Sequence, residues 1–157
     1  HLMENAQNTE IANISDGSIV NALLLIENYD NNMQVLHSMI NVIINDDYTN
    51  LVKLSSYFKN KDESIELLNL LNLFFRDIIL KNMHFAYLSD LADVIDTKYN
   101  KTDWSKCILL VNNTQKYILK NGNIELMIIT LIFEIKKILN HKYHNINILE
   151  EYLTYKV

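Results

Sequence analysis

The sequence predicts an all-α fold, and three observations support this prediction. Hydrophobic residues make up 49% of the chain, proline is absent, and only two glycines occur in 157 residues. Sandwiches and barrels need many tight turns, whereas a disordered chain would lack the apolar residues for a core. Apolar side chains also recur at three- and four-residue spacing, which is the period of a helix. The length fits one domain, or one domain with a piece of a neighbour.

The N-terminal segment predicts two helices. Residues Asn5–Ile14 have a weak helical pattern. A turn at Gly17 follows, and Ser18 can cap a second helix that ends near Asn28, because a serine hydroxyl accepts a hydrogen bond from the first helical turn. The start, His1-Leu2-Met3, looks like a cloning remnant followed by a start codon, so we expect the native protein to begin further upstream.

The polar stretch Tyr29–Asn32 predicts a break in the helical pattern. A polar break between two apolar-periodic segments is typical of a linker. We therefore assign the domain boundary here, with residues 1–30 as the end of one helical segment and residues 31–157 as the main helical domain.

Three helices are predicted after this boundary. Asn32–Asn45 has apolar residues at helical spacing. Asp46-Asp47 starts a short helix, and its inward-facing residues are Leu51, Leu54 and Phe58. Asp62 opens a long helix to about Lys81 with only a narrow polar stripe. A helix that is apolar on most sides is central to a core or covered by a partner.

A shorter helix is predicted from about Phe85 to Ile95, followed by a loop over Asp96–Thr102. Asp103 can cap the next helix, which runs to about Lys120. Trp104 lies one residue past this cap, and we expect it to pack on the bundle.

The stretch Lys120–Leu126 predicts a tight corner between two apolar helices. Gly122 can take the left-handed conformation that ends a helix. Asn123 can cap the following helix, which runs to about Asn140. Glu125 lies in its first turn, where a negative charge favours the helix dipole. The tail from His141 is ambiguous, and a last short helix could use Ile146, Leu149, Tyr152 and Leu153.

Three landmarks together resemble the C-terminal region of the clamp-loader subunits of bacterial DNA polymerase III. They are Ser15–Leu23, Leu73–Ile79 and the corner Lys120–Leu126, and the resemblance covers residues 11–139. Within this family, the chain looks like the delta prime type of subunit. ATP-binding members carry an arginine two positions after the Gly-Ser pair, where this chain has Val20. An aliphatic side chain cannot bind a phosphate, so the resemblance implies a subunit that is not an ATPase.

The resemblance implies an accessory role in DNA replication. Residues 1–30 would be the end of an AAA+ lid domain, and residues 31–157 the helical collar domain. Collar domains form the ring of a pentameric loader, which holds the ATPase modules in register while the sliding clamp is placed on primed DNA. The implied partners are the gamma/tau and delta subunits, with the clamp and the DNA contacted only indirectly. The residues with structural roles are Gly17, Ser18, Gly122 and Asn123.

A partner surface is predicted on the two long apolar helices, Ser64–Leu80 and Ile124–Leu139, which carry more apolar surface than a small bundle easily hides. The candidate contact residues are Phe74, Phe75, Arg76, Ile128 and Phe133. Some of the apolar residues must instead fill the core, and the sequence alone does not divide them. Arg76 and Asp77 could form an ion pair with a partner or lie on a solvated stripe.

Charge and composition disfavour several functions. A net charge of −5 and a single arginine disfavour direct DNA binding, which needs clustered Lys and Arg. Cys107 is the sole cysteine, and neither a signal peptide nor an apolar run of bilayer length is present, so we expect a cytoplasmic protein without membrane contact. No nucleophile–base constellation or cofactor motif occurs. We therefore predict no catalytic, cofactor or metal site in this chain.

Three alternatives remain open. The chain could be the collar of a gamma/tau subunit, although Val20 argues against this, or a free-standing helical adaptor that starts at Met3. It could also be a metal- or ligand-binding bundle that uses His141, His144 and Glu residues. These histidines are three residues apart but have no convincing third ligand nearby. Asp93 and Asp96 are better explained as helix-surface charge.

Overall fold

A computed structural model describes residues 8–9, 11, 19–45, 47–81 and 88–140. Six helices have their bounds in these ranges: α1 (Ile19–Asn45), α2 (Tyr48–Ser55), α3 (Lys61–Leu80), α4 (Ser89–Lys98), α5 (Trp104–Leu119) and α6 (Ile124–Leu139). These ranges contain no strand. The all-α prediction is therefore confirmed for the described part of the chain.

Helix α1 continues without interruption through Tyr29–Asn32, so the predicted break is wrong. Tyr29 and Asn32 face the interior and are only 7% and 6% exposed. The Asn32 amide donates to Oε1 of Glu66 on α3 at 3.0 Å, which satisfies the amide inside the bundle. No proline or glycine interrupts the backbone at this point. The boundary between residues 30 and 31 thus falls inside one helix, and the domain assignment stays a prediction.

Helix α3 starts one residue before the predicted position, whereas α5 starts directly after Asp103 as predicted. Helix α3 begins one residue after Asn60, whose side chain accepts a hydrogen bond from the Glu63 amide at 2.9 Å. Asp62, where the sequence analysis starts this helix, lies in the first turn, and its charge favours the helix dipole. Asp103 occupies the cap position of α5 but makes no side-chain cap bond. Its carboxylate instead accepts from the Ser105 hydroxyl.

All six helices contribute side chains to the hydrophobic core. Helix α5 packs against α3 and α6, and α1 packs against α2, α3 and α6. The largest fully buried side chains include Phe74, Phe75, Met33, Leu36, Met39 and Leu71. Trp104 is buried as well, and its indole stacks on the Phe75 ring. The expectation that Trp104 packs on the bundle is confirmed.

The corner between α5 and α6 is a Schellman turn, and its left-handed residue is Asn121 with φ 63°. The Asn121 amide donates to the Ile118 carbonyl at 3.0 Å, and the Gly122 amide donates to the Tyr117 carbonyl at 3.0 Å. The prediction of a left-handed Gly122 is therefore wrong by one residue. Glycine allows a close approach here, because a Cβ at this position would lie 3.0 Å from the Tyr117 carbonyl oxygen, a tighter contact than most side chains make.

Helix α6 starts directly after this corner. The Asn123 side chain accepts a hydrogen bond from the Leu126 amide at 3.0 Å and occupies the cap position. Glu125 lies in the first turn, and its Oε1 also accepts from the Ser55 hydroxyl of α2 at 3.1 Å. The cap and this contact fix the direction in which α6 leaves the corner.

Helix α4 ends at Lys98, so the first three residues of the predicted loop Asp96–Thr102 are helical. Tyr99 follows as a buried residue, and its hydroxyl donates to the Ile44 carbonyl at the end of α1 at 3.3 Å. Burial of this ring holds the last turn of α4 against the bundle. Outside the described residues lie most of Asn5–Ile14, the Gly17-Ser18 turn, the predicted start at Phe85 and the tail from His141.

Candidate partner surface

Three of the predicted partner contacts belong to the core of the domain. Phe74 and Ile128 are fully buried, and Phe75 is 1% exposed. These side chains fill the hydrophobic cluster, so they cannot reach a partner while the domain is folded. Only Phe133 and Arg76 among the candidates are exposed.

Helix α6 is apolar on two sides. Its inner side carries Ile128, Leu131, Ile132, Ile135 and Leu139, which are buried. On its outer side, Leu126, Ile129 and Phe133 are spaced i, i+3 and i+7 and so share one helical face. Leu126 is 52% exposed, Phe133 is 39% exposed, and Ile129 is partly buried. We call Leu126, Ile129 and Phe133 the α6 outer patch.

Polar groups border the α6 outer patch. Thr130 donates its hydroxyl to the Leu126 carbonyl at 2.8 Å. Nearer the end of the helix, the Lys137 ammonium pairs with the Glu134 carboxylate one turn before it. An apolar centre with a polar rim is the usual anatomy of a protein–protein contact.

Arg76 is on a different helix from the α6 outer patch. Its Nη2 lies 3.7 Å from Oδ1 of Asp77, whose side chain is fully buried. The pair is therefore formed within the chain, and an ion pair with a half-exposed partner contributes about 0–1 kcal/mol. Helix α5 packs against both α3, which carries Arg76, and α6, which carries Phe133.

Two titratable groups near the start of α5 have shifted pKa values. Burial raises the pKa of the Cys107 thiol to about 12, and the Asp103 charge adds to this shift. A thiol with such a pKa is almost wholly protonated at neutral pH and is a poor nucleophile. The hydrogen bond from Ser105 lowers the pKa of the Asp103 carboxyl. Both shifts follow from local packing and hydrogen bonding.

The described ranges contain no group of three or more His, Cys, Asp or Glu residues that could hold a metal ion. Asp93 is exposed on α4. The Asp96 side chain and both His141 and His144 lie outside the described residues. Only the backbone of Val20 is described, in the first turn of α1. The metal-binding alternative and the expected lack of ATP binding therefore stay predictions from the sequence.

No family model, curated protein or solved structure matches this chain. None of the helices in the described ranges combines the length and the hydrophobicity that a bilayer span requires. The resemblance to clamp-loader subunits thus rests on the three sequence landmarks, and the candidate surface rests on the geometry of α6.

Leu126 and Ile129 are missing from the predicted contact residues. The signal that could have found them is the second apolar stripe on α6, which lies opposite the stripe of Ile128, Leu131 and Ile135. A helix with one apolar stripe places it in the core, and a second stripe is left for another surface. Combining Phe133 with the residues four and seven positions before it identifies the patch.

Proposed function

We propose that this chain is an assembly domain of a bacterial clamp loader, namely the lid end and collar of a delta prime-type subunit. The observation that carries the proposal is the α6 outer patch on an all-helical domain. Contiguous apolar residues on the surface of a domain commonly mark a contact with another protein. The sequence landmarks supply the identity of the partners, which are the gamma/tau and delta subunits.

In this proposal, the chain works by holding partner subunits and performs no chemistry. A collar helix of a neighbouring subunit packs on the α6 outer patch and removes Leu126, Ile129 and Phe133 from water. Burial of apolar surface stabilises such a contact by roughly 25 cal/mol per Å² before the costs of association. The hydrogen bonds of the Schellman turn and the Asn123 cap set the direction in which α6 leaves the corner, and so the direction in which the patch faces.

The proposed subunit binds no ATP through this segment, because Val20 stands where ATP-binding relatives of this type carry an arginine. It contacts the sliding clamp and primed DNA only through the assembled loader. The net charge of −5 supports this indirect role, since phosphate contacts need clustered cations. A cytoplasmic location belongs to the same proposal.

The test is co-purification of the full chain with the collar fragments of gamma/tau and delta from the same organism. The experiment is run at low salt and at about half-molar salt, because salt screens exposed charge pairs but leaves apolar burial intact. Retention at both salt concentrations supports the proposal. Loss only at high salt contradicts the apolar mechanism, and no association of folded fragments at either concentration contradicts the assignment.

A free-standing helical adaptor is the second candidate, because the α6 outer patch serves an adaptor equally well. The coding sequence upstream of Met3 distinguishes the two functions. An AAA+ region in the same reading frame supports the clamp-loader subunit. A stop codon directly upstream of Met3 supports the adaptor.

A further inference from the structure

A cleft of about 400 Å³ lies where the end of α3 meets the start of α5. Helix α3 contributes Ile78 and Ile79, and Lys81 at its C-cap also lines the cleft. The other side consists of residues 100 and 102–105, which lead into α5 and begin it. Small-molecule sites have volumes of roughly 300–1,000 Å³, so the cleft has room for one small ligand. We call this feature the α3–α5 cleft.

Part of the lining of the α3–α5 cleft is apolar. Ile78 and Trp104 are each 8% exposed, so most of their surface already belongs to the core. Ile79 is 46% exposed, although isoleucine is among the residues most often buried. An apolar group in the cleft would remove part of Ile79 from water, which favours binding. The lining therefore suits a ligand that carries an apolar group.

The hydroxyl of Thr102 is a polar group of this lining that lacks a partner. Thr102 is only 9% exposed, and its Oγ1 forms no hydrogen bond with any residue that the structure describes. Such groups are uncommon in folded proteins, because burial removes their hydrogen bonds to water without replacing them. Rotation about χ1 moves the hydroxyl between staggered positions, so it can turn to a ligand in the cleft. The unpaired hydroxyl points to a ligand that supplies the missing hydrogen bond.

The charges around the α3–α5 cleft favour an anionic ligand. Lys81 is exposed and forms no ion pair within the described part of the chain. Asp103 also lines the cleft, but its carboxylate lies 3.5 Å from the Lys106 ammonium and accepts from the Ser105 hydroxyl. The charge of Asp103 is thus compensated, whereas that of Lys81 is not. One negative charge on a ligand balances Lys81, and a dianion would bring excess charge close to Asp103.

We propose that the α3–α5 cleft binds a small organic carboxylate, which pairs with Lys81 and packs its apolar group on Ile79 and Trp104. The Thr102 hydroxyl and the exposed amide of Asn100 donate hydrogen bonds to the carboxylate. The carboxylate belongs either to a free acid or to the last residue of a peptide. The cleft shares no residue with the α6 outer patch, so the proposal is independent of the clamp-loader assignment.

Trp104 is the only tryptophan of the chain, so its fluorescence reports directly on the α3–α5 cleft. The full chain is titrated with 3-phenylpropionate, and chemical shifts of the backbone amides of residues 100–106 are followed in parallel by NMR. We expect saturable binding with a dissociation constant of about 1 mM or below, as is usual for a ligand of this size. The uncharged 3-phenylpropanamide and the small anion acetate should each bind about tenfold more weakly or worse, because each lacks one of the two groups that the cleft recognises.

A second titration with N-acetyl-alanyl-leucine distinguishes the two sources of the carboxylate. This compound carries the free carboxylate and apolar side chain of a peptide C-terminus. Binding of either compound supports the proposal. Tighter binding of the peptide assigns the cleft to a protein C-terminus, and tighter binding of 3-phenylpropionate assigns it to a free acid.

Variants of the protein locate the carboxylate in the α3–α5 cleft. Lys81→Gln should weaken binding by about tenfold, because it removes the unpaired cation. The matched control is Lys101→Gln, which removes an exposed lysine near the cleft that does not line it, and should leave the dissociation constant unchanged.

Thr102→Val tests the role of the unpaired hydroxyl. The substitution keeps the shape of the side chain and should weaken binding by about threefold or more. It should not lower the melting temperature of the free protein, because the hydroxyl has no partner there among the described residues. A residue with only a structural role would not combine weaker binding with an unchanged melt.

Three results would overturn the proposal. The first is the absence of a saturable response to both carboxylates in the fluorescence and in the NMR spectra. The second is inorganic phosphate or acetate that binds as tightly as 3-phenylpropionate. The third is a dissociation constant that Lys81→Gln and Lys101→Gln change to the same extent.

Discussion

The indole of Trp104 stacks on the ring of Phe75, with ring centroids 5.6 Å apart and an angle of 27° between the planes. The contact joins the first residue of α5 to the buried side of α3. Phe74 lies next to Phe75, and the centroids of their two rings are 6.0 Å apart. These three aromatic rings pack together in the part of the core where α3 and α5 meet.

Trp104→Ala should lower the free energy of unfolding by about 3–5 kcal/mol, because it removes a large buried ring and leaves a cavity beside Phe75. Urea unfolding followed by circular dichroism measures the change. Val52→Ala is the control, since Val52 is 69% exposed and its truncation should change stability by no more than about 0.5 kcal/mol. A loss below about 1 kcal/mol for Trp104→Ala would show that the stacked pair is not a core contact.

Substitutions at two neighbouring residues of the Schellman turn should change the stability of the domain by different amounts. Gly122→Ala should destabilise the domain by about 1–3 kcal/mol, because the new Cβ would meet the Tyr117 carbonyl oxygen at 3.0 Å. Asn121→Gly should be close to neutral, since glycine adopts the left-handed conformation without strain. Thermal unfolding of both variants checks the prediction. The reverse order of melting temperatures would contradict both the close approach at Gly122 and the left-handed conformation of Asn121.

Asn123→Ala should cost about 1 kcal/mol of stability, the usual loss for a helix cap. Asn123→Ser should retain most of it, because a serine hydroxyl can accept the same bond from the Leu126 amide. The unchanged protein and both variants should have the same helical content when folded. Thermal unfolding followed by circular dichroism therefore compares their melting temperatures. If alanine and serine give the same melt, Asn123 does not stabilise α6 as a cap.

The pH dependence of stability should contain a contribution from Glu66. Its pKa in the folded state is raised above the ordinary value of 4.5, mainly by burial, so the folded state binds this proton more tightly than the unfolded chain does. The resulting stabilisation is fully present below pH 4.5 and is lost as pH rises through the raised pKa. Melting temperatures measured from pH 4 to pH 7 report the loss.

Glu66→Gln should remove that decline, because glutamine does not titrate and its carbonyl can still accept from Asn32. Relative to the unchanged protein, the variant should gain stability as pH rises from 4 to 7. Asp62→Asn is the control on the same helix, since its side chain is exposed and its charge is not among the causes of the Glu66 shift. Parallel pH profiles for the unchanged protein and Glu66→Gln would contradict the assigned shift.

Local sequence patterns predicted the helices well, but they did not predict which polar residues face inward. The sequence pattern predicts a polar break at Tyr29–Asn32. In the structure Tyr29 is buried, and the Asn32 amide donates to Glu66, which lies 34 positions later on α3. The same limit applies at the start of α3, where the sequence favours Asp62 and the structure uses Asn60. Both carry a competent capping side chain, so the choice depends on the path of the preceding turn.

The candidate surface could be predicted only as far as its helices. The sequence identifies α3 and α6 as unusually apolar helices. It does not show which of Phe74 and Phe133 is buried, because burial depends on tertiary contacts. Phe74 is buried because α5 and α1 cover that side of α3, whereas no described helix covers the outer side of α6 to the same extent. Helix packing decides which apolar residues are core and which are surface, and the periodicity of the sequence does not predict that packing.

The affinity of the full chain for the cognate gamma/tau collar fragment tests the central claim most directly. Titration calorimetry on the unchanged protein and on Leu126→Asp, Phe133→Asp should show binding that the double variant weakens by about tenfold or more, because it places two charges in an apolar contact. Val52→Asp, on the exposed side of α2, should bind as the unchanged protein does. If the folded unchanged protein shows no binding, or if the double variant binds as tightly as Val52→Asp, the α6 outer patch is not a collar contact.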